Sequence, residues 1–76
     1  MDANYRIRYE VIEETKSGYV HVCIQGYTRP KSASIARDRL QALANRNGIG
    51  WNYRIEKVVV DSEGYLVEVL DRDWQP

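Results

Sequence analysis

TRPKSASIARDRLQALANRNG, residues 28–48, is the one long stretch of this chain with a helical period, and the remaining residues arrange themselves on either side of it. Ala33, Ala36, Leu40, Leu43 and Ala44 recur at steps of three and four, which gathers them on one stripe able to lie on a sheet. Thr28, or failing that Ser32, can cap the amino end, and Pro30 is tolerated in the first turn. Gly48, after Asn47, can take the left-handed conformation that stops a helix. The reading is of a single helix.

Working outward, the flanks read as strand pairs. Residues 5–11 alternate Tyr5, Ile7, Tyr9 and Val11 with Arg6, Arg8 and Glu10, the period of two of a strand with one buried and one wet face. Polar residues 14–18 end in Gly18 and turn the chain into a second strand, 19–27. There Val20, Val22 and Ile24 share one face and Tyr19, His21, Cys23, Gln25 and Tyr27 the other. The helix is expected to cover the valine and isoleucine face. Beyond the helix, residues 51–60 read as a third strand with Trp51, Tyr53, Ile55 and Val59 on one side. The run Val58, Val59, Val60 implies an end buried on both faces or a bulge. Residues 61–64 are a second turn of the same kind as the first, 65–70 a fourth strand, and 71–76 a short polar tail with one tryptophan.

The fold class is therefore α+β: one domain over residues 1–76, a four-stranded antiparallel sheet with one helix on one face, in the order β-β-α-β-β. Spatial strand orders 2-1-3-4 and 1-2-4-3 both keep every pair antiparallel. With 76 residues the core is small, and either a monomer or a homodimer burying extra apolar area is compatible with that size.

Hydrophobic residues make up 43% and charged residues 29%, values of a soluble globular domain; no apolar run reaches the roughly 20 residues of a membrane span. No signal-peptide pattern precedes the first strand. The single cysteine, Cys23, has no partner for an internal disulfide, so a cytoplasmic setting is expected and no membrane contact. Net charge is zero but uneven: minus one over residues 1–28, plus five over 29–54, minus four over 55–76. Such asymmetry bears on association rather than on fold.

Chemistry is sparse. His21 and Cys23, two apart on a strand, point the same way, yet the chain has no other histidine or cysteine to complete a metal site and no orienting group near them in sequence. The paired acids fall at turns or in the tail, and the glycines form no phosphate-binding loop. No catalytic residue, metal site or cofactor is expected, and the chain reads as a non-enzyme. Its outward residues carry more information. Arg39, Ala42 and Arg46 follow Ile35 along one side of the helix, while Arg29 and Lys31 crowd its first turn, where positive charge opposes the helix dipole. Either the acidic turn and tail neutralise them, or they meet an anionic partner. The sheet face away from the helix can present Tyr19, His21, Gln25 and Tyr27 with Arg6, Arg8, Arg54 and Glu56, a set able to stack bases or to anchor a protein. The candidate partner-binding residues are Arg29, Lys31, Arg37, Arg39 and Arg46, with Tyr19, Tyr27 and Trp74 as anchors.

A small cysteine-poor chain laid out as hairpin, short alanine-rich basic helix beginning TRPKSASIAR, and second hairpin resembles phage-encoded host-defence inhibitors of the anti-CRISPR type. That resemblance implies a protein, of phage or other mobile-element origin, that inhibits by binding a host protein or ribonucleoprotein complex and blocking target DNA or nuclease recruitment. Residues 5–43, paired strands ending GYTRPKSASIARDRLQAL, also resemble the arm-type DNA-binding domain of phage integrases, which implies the alternative: a small DNA- or RNA-binding module that uses its sheet face and basic helix.

Overall fold

A computed structural model describes residues 4–22 and 26–76. Its elements are β1 (Arg6–Glu14), β2 (Val20–Val22), α1 (Pro30–Arg46), β3 (Asn52–Val60) and β4 (Leu66–Asp71), in the α+β order expected from the sequence. The four strands form one antiparallel sheet in the order β2-β1-β3-β4, one of the two orders the sequence leaves open. The sequence strand 19–27 appears as β2 and an isolated bridge from Tyr27 to Tyr9; its middle, with Cys23, Ile24 and Gln25, lies outside the described residues.

Both hairpins close identically. In the first, the Thr15 N–H donates to the Tyr19 carbonyl at 2.8 Å and the Gly18 N–H to the Thr15 carbonyl at 2.9 Å; in the second, Asp61 donates to Tyr65 at 2.9 Å and Gly64 to Asp61 at 3.0 Å. Gly18 and Gly64 both sit at φ +88°, the left-handed step that lets a three-residue loop follow the twist of its strands.

The cross-strand pairs fix which face each residue takes. Val11 faces Ile55 and Glu13 faces Tyr53, and these positions lie under α1: Val11, Tyr53 and Ile55 pack with Ala33 and Ala44, flanked by Tyr9, Tyr27, Ala36, Leu40, Trp51 and Trp74. The helix end is as the sequence indicates. Gly48, at φ +67°, donates to the Asn45 carbonyl at 3.2 Å, and Ile49 donates to Ala44 at 2.9 Å, so two otherwise orphaned carbonyls are satisfied. Three expectations about α1 and its cover are corrected. The helix begins after Arg29, which supplies no side-chain cap, so neither Thr28 nor Ser32 caps it; Pro30, lacking an N–H, leaves one fewer donor to satisfy. Leu43 is 53% exposed, because the buried line runs through Ala33, Leu40 and Ala44 and Leu43 lies about 100° from its neighbour Ala44. Finally, Val20 pairs with Glu14 on the face away from α1, while His21 pairs with Glu13 on the helix side. The sheet face expected to meet the helix is thus inverted in β2.

The far face is buried without a helix. Ile12, Val58 and Val60 are almost inaccessible there. Arg8 stands across from Val58, and its guanidinium runs so close to Gly26 that a Cβ at Gly26 would fall 2.5 Å from Arg8 Nε; on its other side lies Gly64 of the second turn. Val59, on the helix side, is only half-buried, so the Val58 to Val60 run is fully buried on one face alone, while the register of β4 shifts beside it twice, as the bulge alternative expects.

The outer edge of β3 is completed piecewise. β4 pairs with residues 57–60; next, the Trp74 N–H donates to the Ile55 carbonyl at 2.8 Å, which makes the expected polar tail a continuation of the sheet. At the start of β3, the Gln41 side chain takes over, its amide donating to the Trp51 carbonyl at 3.1 Å and its oxygen accepting the Tyr53 N–H at 3.0 Å. One carboxamide thus occupies the place a strand peptide would take.

Candidate functional site

The residues expected to bind a partner fall into two groups. Arg29, Lys31, Arg39 and Arg46 stand exposed around α1, and no ion pair joins them to another described residue. Arg37 is engaged by its neighbour Asp38. The acidic turn and tail do not neutralise the helix: among the described residues the helix cations other than Arg37 remain unpaired, even in the first turn, where the dipole disfavours them. At 100° per residue, Ile35, Arg39, Ala42, Leu43 and Arg46 share the outer face. Ile35 is 45% exposed and Leu43 53%. Two large exposed aliphatic side chains thus alternate there with two arginines that no described residue pairs.

The aromatic candidates separate. Tyr19 is exposed at the sheet edge, its ring 5.3 Å from that of His21. Tyr27 packs half-buried on the core, and Trp74 meets Tyr9 edge-on at 5.0 Å. The open-face set read from the sequence is divided by the register: His21 and Tyr27 pair with helix-side positions, whereas Arg6, Arg8, Arg54 and Glu56 lie on the far side.

On that far side the arginines are largely engaged. Arg54 holds Glu14 at 2.9 Å and Glu56 at 3.3 Å and donates from Nε to the Arg72 carbonyl at 3.0 Å; Arg72 reaches Glu56 at 3.7 Å and Arg8 reaches Glu10 at 3.9 Å. These groups are partly screened, so each exposed pair contributes about 0–1 kcal/mol to stability. Their consequence is electrostatic: glutamates engage Arg8, Arg54 and Arg72, whereas exposed Arg6 on the same face has no ion pair with a described residue.

Pairing of β1 with β2 also supplies His21 with an orienting group that its sequence neighbourhood lacks. Glu13 Oε1 lies 2.9 Å from His21 Nδ1, and Glu13 Oε2 accepts the Tyr53 hydroxyl at 2.8 Å. The signal for Glu13 was its place across the hairpin, legible only once the register was known. A carboxylate that fixes an imidazole is half of a general-base arrangement. Thr15 and Ser17, the nearby hydroxyls in the turn, bond to each other at 3.2 Å. Among the described residues no group of three or more potential ligands could hold a metal. The Glu13, His21 and Tyr53 bonds tie β1, β2 and β3 together at one end of the sheet. No helix of the described residues is long and apolar enough to cross a membrane.

No family model, curated protein or solved structure matches this chain.

Proposed function

We propose that this chain is a non-enzymatic binding protein, of phage or other mobile-element origin and acting in the host cytoplasm, that occludes a working surface of a host defence ribonucleoprotein of the CRISPR type. The observation that carries the binding role is the outer face of α1, where exposed Ile35 and Leu43 alternate with Arg39 and Arg46, which no described residue pairs. Arginines of this kind steer the chain toward an acidic protein surface, and the aliphatic pair supplies the desolvated contact that slows release. Arg29 and Lys31 extend the positive field along the helix start. The choice of partner class rests on the layout, hairpin, basic helix and hairpin, which resembles that of anti-CRISPR inhibitors. The alternative of a nucleic-acid module reading through its sheet has less support, because Arg8 and Arg54 are held by Glu10, Glu14 and Glu56.

The test uses purified surveillance and effector complexes loaded with guide RNA and a labelled target duplex. Addition of the chain should lower target binding or cleavage by at least one complex, and Arg39→Glu with Arg46→Glu should abolish that effect while melting at the wild-type temperature. Failure to bind any such complex would refute the proposed partner. Tight, steeply salt-dependent binding to naked DNA would favour the alternative.

A further inference from the structure

The buried line of α1 runs through Ala33, Leu40 and Ala44, and at 100° per residue the side opposite is centred on Ala42. Ile35, Arg39, Ala42 and Arg46 follow one another there at steps of four, three and four, the alternation of a seam between two helices. Ala42 is the small member of the four and leaves a notch between its larger neighbours. Lys31 extends the line toward the helix start. Asp38, the one acid of the helix, is engaged by Arg37, whereas Lys31, Arg39 and Arg46 have no ion pair with a described residue. Among the described elements α1 packs on β1 and β3 alone, so its outer side stands clear of the sheet.

We infer that the partner presents an acidic amphipathic helix, laid lengthwise along this seam, a conclusion that rests on the docking role proposed for α1. Charge selects the sign of the partner. Three cations without a counter-charge gain from an acidic surface and reject a basic one. Spacing selects its shape. Arg39 and Arg46 lie seven residues apart, about 10.5 Å along the axis, and Lys31 lies about 12 Å before Arg39. A second helix has the same rise of about 1.5 Å per residue, so carboxylates seven and eight residues apart on one of its faces meet these cations in register. Aliphatic residues one turn from those carboxylates then fall opposite Ile35 and Ala42, with exposed Leu43 closing one margin. A nucleic-acid strand suits the seam less, because its phosphates recur about every 3.4 Å along the axis and set charge, not apolar surface, against Ile35 and Leu43.

The test uses a capped helical peptide of about 20 residues, with glutamates seven and eight residues apart and leucines one turn from each on the same face. Its binding to the full chain is read by fluorescence anisotropy beside a scrambled peptide of identical composition. The ordered peptide should bind with a dissociation constant on the order of 10 µM, and the scramble at least about tenfold more weakly. Arg39→Glu with Arg46→Glu should lose the glutamate peptide and gain its lysine counterpart, which also reports that the variant is folded. Ala42→Trp fills the notch at an exposed position and should weaken the glutamate peptide at least about tenfold, with an unchanged melt. Equal binding of ordered and scrambled peptides, wild-type affinity in Ala42→Trp, or displacement of the ordered peptide by a short DNA duplex overturns the helical partner. If that happens while the paired charge reversal still abolishes inhibition of a guide-loaded complex, the docking role of α1 stands and only its helical partner falls. A charge reversal that leaves such inhibition intact removes the docking role itself.

Discussion

Replacing Gln41 by alanine tests whether a side chain completes the edge of β3. Its carboxamide makes two bonds to the β3 backbone, at 3.1 Å to the Trp51 carbonyl and 3.0 Å from the Tyr53 N–H, and a third at 3.1 Å to the Asn45 side chain. The Asn45 bond is exposed and contributes little. The other two are partly buried, and each net bond of this type is worth about 1 kcal/mol, with a further cost where water cannot replace the lost partner. Alanine is the better helix former by a few tenths of a kcal/mol, which offsets a small part. The expected loss is about 2 kcal/mol, or roughly 10 °C in Tm for a domain of this length. Thermal unfolding followed by circular dichroism gives the first readout. Hydrogen exchange at the Tyr53 amide gives the second and more specific one, because that proton loses its acceptor and should exchange faster than its neighbours in β3. A Tm within about 2 °C of wild type, together with an unaltered Tyr53 exchange rate, would refute the claim that Gln41 substitutes for a strand.

Leu40 packs against the small core beneath α1, and Leu40→Asp should abolish the cooperative melt, because an unpaired carboxylate in that position lacks the partners a buried charge requires. Tyr53→Phe removes the 2.8 Å bond to Glu13 and should cost about 1 kcal/mol in chemical denaturation. The His21 side-chain resonances should shift in the same variant, since Glu13 holds both groups.

The helix, the four strands and their antiparallel pairing were legible because each rests on a local signal: a period of three to four in residues 33–44, alternation in the flanks, and Gly18, Gly48 and Gly64 at left-handed positions. What escaped depends on register. Apolar content alone assigns Val20 to the helix side, but the first turn carries the parity of Glu14 across the hairpin and places it on the other. The same dependence hid Glu13, whose bond to His21 spans eight residues of sequence and one rung of the ladder. Trp74 read as part of a tail because Asp71, Arg72, Asp73 and Gln75 surround it; a lone ring among charges has no period, and only the sheet edge it completes explains its burial. In the candidate interface, the outward arginines were legible from helical spacing. The exposure of Leu43 was not, since its spacing from Leu40 fits a buried stripe equally well.

The Gln41 bridge has a consequence for how α1 meets anything outside the molecule. A carboxamide clamped at two points on β3 resists rolling of the helix about its long axis and sliding along the strands, so the backbone that carries Arg39 and Arg46 keeps its bearing relative to the sheet. For the docking role proposed above, this means a face held in orientation before contact, with little motional freedom surrendered at capture. On that proposal, loosening the clamp weakens recognition through residues that never touch the target.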